Sequence, residues 1–295
     1  MTTVTLQSLN TADKAGFVAG LGDIYEHAPW VAEAVCDRRP FASLAALHEA
    51  MSAAVRTAPA DQRLALIKGH PDLAGKAARA GAMTTDSKAE QASAGLDQLS
   101  EAEFKEFHRL NNAYRDKFAM PFIVCVRRHS KDSILHEFAR RLQNHAAAET
   151  KAALGEILRI GALRLDQRVD AADRLKVHGR LSTHVLDTHA GHPAAGVAIE
   201  LLELARHGEP RLIASVTTNL DGRSDQPLIG GRPIPIGRYE LRFHVGDYFT
   251  GRGAPQSDPP FLDVVPVQFA VAEPEGHYHV PLLVTPWSYS TYRGS

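Results

Sequence analysis

The amino-acid sequence predicts two domains, an N-terminal all-α helical bundle and a C-terminal all-β sandwich. Apolar residues recur with a helical period up to about residue 165 and with a period of two from about residue 181. The join, Asp166–Arg180, is charged and poor in apolar residues, and reads as a linker, helical at most at its start. A chain of 295 residues is long for one compact core and comfortable for two. The expected division is therefore 1–165, a linker at 166–180, and 181–295.

In the first half, Leu44, Leu47, Met51, Ala54 and Val55 keep the spacing of an amphipathic helix, as do Phe104, Phe107, Leu110, Tyr114 and Phe118. Ile134, Leu135, Phe138 and Leu142 give a third such helix, and Leu154, Ile157, Leu158 and Leu165 a fourth. Ser87 with Glu90 and Ser100 with Glu103 have the spacing of capping boxes at helix starts. Met120–Val126 is short, apolar and β-branched, and is expected to be extended and buried.

In the second half, Val197, Ile199 and Leu201 alternate, as do Tyr239, Leu241, Phe243 and Val245, and Val267, Phe269 and Val271. Asp221-Gly222 and Gly230-Gly231 are expected turns, and short strands separated by turns argue for a sandwich. The C-terminal stretch from His277 to Ser295 is apolar, aromatic and Pro-punctuated, where termini are usually polar and frayed. Its His277 and His279 fall on one face of an expected strand, so the tail is expected to be docked and used.

The totals exclude several classes. A net charge of −1 and a pI near 7.0 give no field that would draw the chain to nucleic acid or an anionic membrane. Cys36 and Cys125 lie far apart without ligand-like neighbours, and no secretory signal or membrane-length apolar run is visible. A cytoplasmic setting is expected. No Cys, Asp or Glu stands at ligand spacing beside His277 and His279, so no metal is expected there.

Pro71 biases His70 away from helical geometry and sets it at the C-terminal end of the helix carrying Leu64–Ile67. His70 then either caps that helix or, as an imidazolium favoured by the helix terminus, donates a proton. Glu90 either closes the box with Ser87 or orients such an imidazole. Arg164 either binds an anion or pairs with a surface carboxylate. Gly69-His-Pro-Asp-Leu73, Ser87-x-x-Glu-Gln91, Leu110-Asn-x-Ala-Tyr114, Lys117-Phe118, Pro121-Phe-Ile-Val124 and Arg141-Leu-x-Asn144 occur in this order. With them, residues 1–165 resemble the 2-oxo-4-hydroxy-4-carboxy-5-ureidoimidazoline (OHCU) decarboxylases. The resemblance implies a helical, cofactor-free decarboxylase with His70 and Glu90 catalytic. It places Pro71, Ser87, Gln91, the backbone of Phe122, Ile123, Val124, Cys125 and Val126, and Arg164 around the substrate. One departure shows, Ala119-Met120 where the family usually has Gly-Phe, from which slightly altered packing is expected.

Leu181-Ser-Thr-His-Val-Leu-Asp187, Pro193-Ala-Ala-Gly196, Asp221-Gly-Arg223, His277-Tyr-His-Val-Pro-Leu-Leu283 and the terminal Tyr292-Arg-Gly-Ser295 make residues 181–295 similar to the transthyretin-related 5-hydroxyisourate (HIU) hydrolases. Carried over, His184, Arg223, His279 and Ser295 are catalytic and Tyr292 binds substrate. The two resemblances together imply a bifunctional enzyme that hydrolyses HIU to OHCU and decarboxylates OHCU to (S)-allantoin. They also imply a homo-oligomer, dimer or tetramer, that acts on small molecules and is coupled functionally to urate oxidase. The rival reading is a transthyretin-like ligand carrier with a non-catalytic helical oligomerisation domain.

Overall fold

A computed structural model describes residues 3–74, 83–206 and 208–294. The chain divides into two compact units, residues 1–127 with 133–177, and residues 128–132 with 178–295.

The first unit is helical. Its described helices are α1 (Leu6–Thr11), α2 (Lys14–Leu21), α3 (Trp30–Val35), α4 (Leu44–Thr57), α5 (Ala60–Lys68), α6 (Thr85–Ser93), α7 (Glu101–Phe118), α8 (Lys131–Arg141) and α9 (Ala146–Arg168). The four amphipathic segments read from the sequence fall in α4, α7, α8 and α9. Leu44, Leu47, Met51, Phe107, Phe138 and Ile157 are buried in one core with Phe17 and Leu21. The Ser100–Glu103 capping box is formed. The Ser87–Glu90 box is not: α6 begins earlier, on Thr84, whose hydroxyl accepts from the Ser87 amide. Residues 120–126 are buried and irregular, ending in a 3-10 turn at Val126–Arg128.

Two features depart from the expected all-α domain and linker. Val4–Thr5 (β1) pairs in parallel with Val169–Asp170 (β2). The charged join is packed rather than free. Asp166 is buried, pairs with Arg174 and accepts from the Leu175 amide at 2.8 Å, and Asp173 accepts from the Leu44 and Ala45 amides at the start of α4. Low apolar content concealed this, because carboxylates anchor the segment together with only a few apolar residues, Val169 and Leu175, that are buried in the helical core.

The second unit is β-rich. Its strands are β3 (Gly179–Asp187), β4 (His192–Pro193), β5 (Ala198–Leu204), β6 (Arg211–Thr217), β7 (Ile229–Arg232), β8 (Gly237–His244), β9 (Val264–Val271), β10 (His277–Val284) and β11 (Tyr289–Thr291), with one helix, α10 (Val245–Gly251). One sheet runs β11-β10-β3-β4 with β7 also on β3, the other β6-β5-β8-β9. Leu181, Val185 and Leu282 of the first share a core with Ile199, Leu241, Phe243 and Val265 of the second. Gly230-Gly231 is not the expected turn but part of β7, with Gly231 at φ +67°. Residues 128–132 belong here because Ser130 donates to the Ile236 carbonyl at 3.1 Å, Ile236 to the Arg128 carbonyl at 2.8 Å, and Arg128 pairs with Glu275. Among the described residues, no helix is long and apolar enough to cross a membrane.

Ala119 caps α7 in the left-handed region, at φ 55° and ψ 30°, where Gly carries no Cβ penalty. That gives the Ala119-Met120 departure a physical consequence, while Met120 itself is buried. Ala119→Gly should raise stability by about 0.5–1 kcal/mol and the melting midpoint of the helical signal by a few degrees; an unchanged or lower midpoint contradicts the strain.

Candidate active sites

In the helical unit, His70, Pro71, Leu73, Ser87, Glu90, Gln91, Phe122, Ile123, Val124, Val126, Ile160 and Arg164 line one pocket. His70 follows the end of α5 and is buried, and its Nδ1 lies 2.9 Å from the Leu66 carbonyl. A carbonyl can only accept, so Nδ1 carries the hydrogen and Nε2 is left for chemistry. Burial holds the His70 pKa below its ordinary 6.5, against the Leu66 carbonyl and the Glu26 charge, which raise it; Arg164 and His27 push in the same direction as burial.

Arg164, on α9, is 4% exposed and fully engaged. It grips Glu90 with two hydrogen bonds (2.7 and 2.8 Å), reaches Glu26 at 2.9 Å and the Ser87 hydroxyl at 3.3 Å. Of the two readings of Arg164, the pairing with carboxylates holds, but these are the buried Glu26 and the largely buried Glu90 rather than surface groups, and Arg164 also lines the pocket. Glu90 therefore meets Arg164 rather than the Ser87 amide, and the carboxylate whose charge bears on His70 is Glu26. Burial alone would raise the Glu26 pKa, but hydrogen bonds from Thr84 and Arg164, with the Arg164 charge, lower it. Sequence reading missed Glu26. No local pattern marked it, since Glu26 stands in the mixed stretch Asp23-Ile-Tyr-Glu-His27.

Gln91 lines the pocket, but its amide holds the loop after His70: Oε1 accepts from Ala74 at 2.9 Å and Nε2 donates to the Asp72 carbonyl at 3.3 Å. Cys125 is buried beside the wall without being among the lining residues; its amide donates to Glu156 at 2.9 Å.

The second constellation lies on the outer face of the β11-β10-β3-β4 sheet. Parallel pairing sets His279 opposite Ser182 and Pro281 opposite His184. Since Leu181, Thr183 and Val185 point into the core, Ser182 and His184 share the other face. The Asp221-Gly-Arg223 turn is stitched to β3 by a bridge between Arg223 and His184 and by the Val185 amide donating to the Gly222 carbonyl at 2.8 Å. Gly222, at φ +70°, is required there, because a Cβ would come within 2.3 Å of the Val185 carbonyl oxygen.

Both histidines are held below their ordinary pKa, first by burial and then by the Arg223 charge; Asp221 opposes this at His184, while His184 and His277 add to it at His279. His279 Nδ1 lies 3.0 Å from the Ser182 hydroxyl. The His184 Nε2 is shut off from solvent and has no hydrogen-bond partner among the described residues.

The tail folds back on this face. β11 pairs antiparallel with β10, the Thr291 hydroxyl donates to the Pro281 carbonyl at 2.8 Å, and the Gly294 amide donates to the His279 carbonyl at 2.8 Å. A Cβ on Gly294 would stand 2.6 Å from His279 Cδ2. Tyr292 is 57% exposed and is not brought into an enclosed pocket within the single chain. Ser295 lies outside the described residues. Among the described residues, no group of three or more His, Cys, Asp or Glu side chains could hold a metal.

These features define a protein with two imidazole-centred sites, one buried among helices and the other on an open sheet face. Family models match both halves, "OHCU decarboxylase" over residues 10–166 and "HIUase/Transthyretin family" over residues 181–294. The chain belongs to the OHCU decarboxylase family through its helical unit and to the HIUase/transthyretin family through its β-rich unit. It is 41% identical over 167 residues to a 2-oxo-4-hydroxy-4-carboxy-5-ureidoimidazoline decarboxylase of Halalkalicoccus jeotgali, spanning 57% of this chain and 93% of that one. It is 56% identical over 119 residues to a 5-hydroxyisourate hydrolase of Deinococcus radiodurans, spanning 40% of this chain and 98% of that one. A crystal structure of (S)-allantoin synthase aligns with 99% of this chain and 100% of its own, at 37% identity and a TM-score of 0.53.

The lowered histidine pKa values have a thermodynamic sign. Below the ordinary 6.5 the unfolded chain binds more protons than the folded one at His70, so stability falls on acidification through that value. Glu26 titrates below 4.5 and does not act in this window. The melting midpoint of the helical signal should fall between pH 7.5 and pH 5.5, and His70→Gln should flatten the dependence. A midpoint that rises, or a slope the substitution leaves unchanged, contradicts the assignment.

Proposed function

We infer that the chain is a bifunctional enzyme of urate breakdown, hydrolysing HIU to OHCU at the sheet face and decarboxylating OHCU to (S)-allantoin in the helical pocket. The observation that carries this is the convergence of residues distant in sequence, His70 with Glu90 and Arg164 in one unit, His184 with Arg223 and His279 in the other. Residues 1–165 and 181–295 are the two catalytic domains, the second a transthyretin-type sandwich.

At the sheet face, a neutral imidazole takes a proton from water as the water attacks the ring carbonyl. The Arg223 guanidinium meets the negative charge that develops on oxygen. His279 takes the base role in the tautomer that donates Nδ1–H to the Ser182 hydroxyl and leaves Nε2 to accept, an assignment interchangeable with His184. In the helical pocket, loss of CO₂ leaves a carbanion delocalised into the adjoining carbonyl and imine system. The substrate is its own electron sink, so hydrogen-bonding side chains suffice. His70 Nε2 delivers the proton from one face, and the incoming substrate carboxylate supplies the anion that favours an imidazolium there. Glu90 fixes Arg164, and the Phe122–Val126 wall and Pro71 bound the substrate.

Leu220, Trp287, Tyr289 and Tyr292 are exposed on the β-rich unit, and burying them against another copy fits a homo-oligomer, dimer or tetramer. Tyr292 and Ser295 then complete the hydrolytic pocket. Tethering raises the effective concentration of a labile intermediate near the second site, and urate oxidase supplies HIU in a cytoplasmic setting.

The test generates HIU with urate oxidase and follows absorbance and circular dichroism. Accelerated HIU decay and optically active allantoin are expected. Unaccelerated decay overturns the hydrolase, and racemic allantoin overturns the decarboxylase. Gly294→Ala should lower HIU hydrolysis at least tenfold by displacing His279 while decarboxylation stays within twofold; His70→Asn should do the reverse. Equal loss of both activities in either variant contradicts the assignment of separate sites.

A further inference from the structure

Tyr114, Arg141 and Asn144 are prominent in the sequence yet none lines the helical pocket. All three converge on one carboxylate. Glu149, at the start of α9, is fully buried, 0% exposed. It accepts from Arg141 Nε at 2.7 Å and Asn144 Nδ2 at 2.8 Å, and from Arg141 Nη2 and the Tyr114 hydroxyl. Arg141, 2% exposed, turns its remaining nitrogen outward from this pair: Nη1 donates to the Ile123 carbonyl at 2.5 Å, and the guanidinium lies 4.6 Å from the Phe122 ring centroid. Two residues further along, the Cys125 amide donates to Glu156, which follows Glu149 by about two turns of α9.

Phe122, Ile123 and Val124 form a pocket wall with no regular secondary structure. Such a segment has no ladder to set the direction of its peptide groups, so whatever binds those groups sets the wall. Arg141 at the Ile123 carbonyl and Glu156 at the Cys125 amide fix the backbone on either side of Val124, which lines the pocket.

We propose that Arg141, locked by Glu149 and Tyr114, together with Glu156, is a positioning pair that orients the Phe122–Val126 backbone for the decarboxylation step. The pair touches no reacting atom. It acts by presenting the Val124 peptide group to the polar edge of the substrate in a fixed direction, where a small misplacement weakens transition-state stabilisation. A buried ion pair serves this better than apolar packing, because a guanidinium forked onto one carboxylate leaves its third nitrogen with a single direction.

The inference rests on the decarboxylase reading, and the experiment keeps the two apart. OHCU is generated in situ, and its decay and the optical purity of the allantoin are followed with the full-length chain and its variants. If the unmodified chain fails to accelerate decay, the decarboxylase reading fails. If it succeeds, the variants test the positioning pair. Removing Arg141 outright leaves Glu149 buried and unpaired and can unfold the unit, so the decisive variants are milder. Glu156→Ala frees the Cys125 amide at a half-buried site, Tyr114→Phe removes one hydrogen bond to Glu149, and Arg141→Lys keeps the charge but not the fork. Each should fold, with helical circular dichroism and HIU hydrolysis unchanged. Glu156→Ala and Arg141→Lys should each lose about tenfold or more in kcat/KM for OHCU, with lower optical purity as spontaneous decay competes. Glu156→Gln, which keeps an acceptor oxygen, should restore most of the loss. Folded Glu156→Ala and Arg141→Lys that keep kcat and KM within twofold overturn the proposal, as does failure of the Gln variant to recover activity.

Discussion

The helical site depends on one buried charge. Arg164 is almost wholly removed from water, and an unpaired guanidinium in that position would cost several kcal/mol, roughly 3–5 when one partner of a buried pair is lost. Two carboxylates meet it, and they come from different segments: Glu90 from α6 and Glu26 from the turn before α3. Satisfying Arg164 draws both segments onto α9. Thr84 and Ser87, which also bond Glu26, fix the entry of α6 in the same act. The position of α6 against α9 then decides where Gln91 can reach, and Gln91 in turn holds the loop that follows His70. A charge requirement at one atom group thus propagates to the placement of the imidazole.

The β-rich unit reaches a comparable end by register. No buried ion pair is needed to bring His184 and His279 together, because parallel pairing of β3 with β10 places them two positions apart along adjacent strands and side-chain alternation turns both outward. The turn bearing Arg223 and the tail bearing Gly294 are then attached to the same strands through backbone hydrogen bonds. At both attachment points a glycine sits where a Cβ would clash, Gly222 against Val185 and Gly294 against His279. Close approach of backbone, rather than charge, is the constraint here, and small residues are its signature.

This contrast explains what is legible in the sequence. Period-two alternation shows which strand residues face outward, so spacing alone puts Ser182 with His184 on one face and His277 with His279 on one face. Helical periodicity places α4, α7, α8 and α9 equally well. It cannot show that Glu90 turns to Arg164, since partners 74 residues apart leave no local spacing. The Ser87–Glu90 spacing matches a capping box while Thr84, three residues earlier, is the real cap. Glu26 escapes notice because the mixed stretch Asp23-Ile-Tyr-Glu-His27 carries no period, and only its burial reveals a partner. The segment 166–177 misleads in the opposite direction, its charge suggesting solvent where buried Asp166 instead anchors the chain.

The pairing pattern also bears on the proposed acid role of His70, whose pKa is lowered. Among the four side chains at the helical site, Glu26 and Glu90 carry two negative charges and Arg164 one positive, and His70 is held neutral by burial. The pocket is thus net negative before an anionic substrate arrives. A further carboxylate placed beside His70 shifts the balance toward imidazolium, so binding and proton uptake are coupled. In the proposed decarboxylation the proton enters with the substrate and is spent when the carbanion is quenched. At the sheet face the order is reversed. Burial first and the Arg223 charge second hold His184 and His279 below their ordinary pKa, which suits the base that the proposed hydrolysis requires. In the proposed reactions the two sites differ in the charge beside the imidazole: the Glu26 carboxylate raises the His70 pKa against burial, while the Arg223 guanidinium adds to burial at His184 and His279.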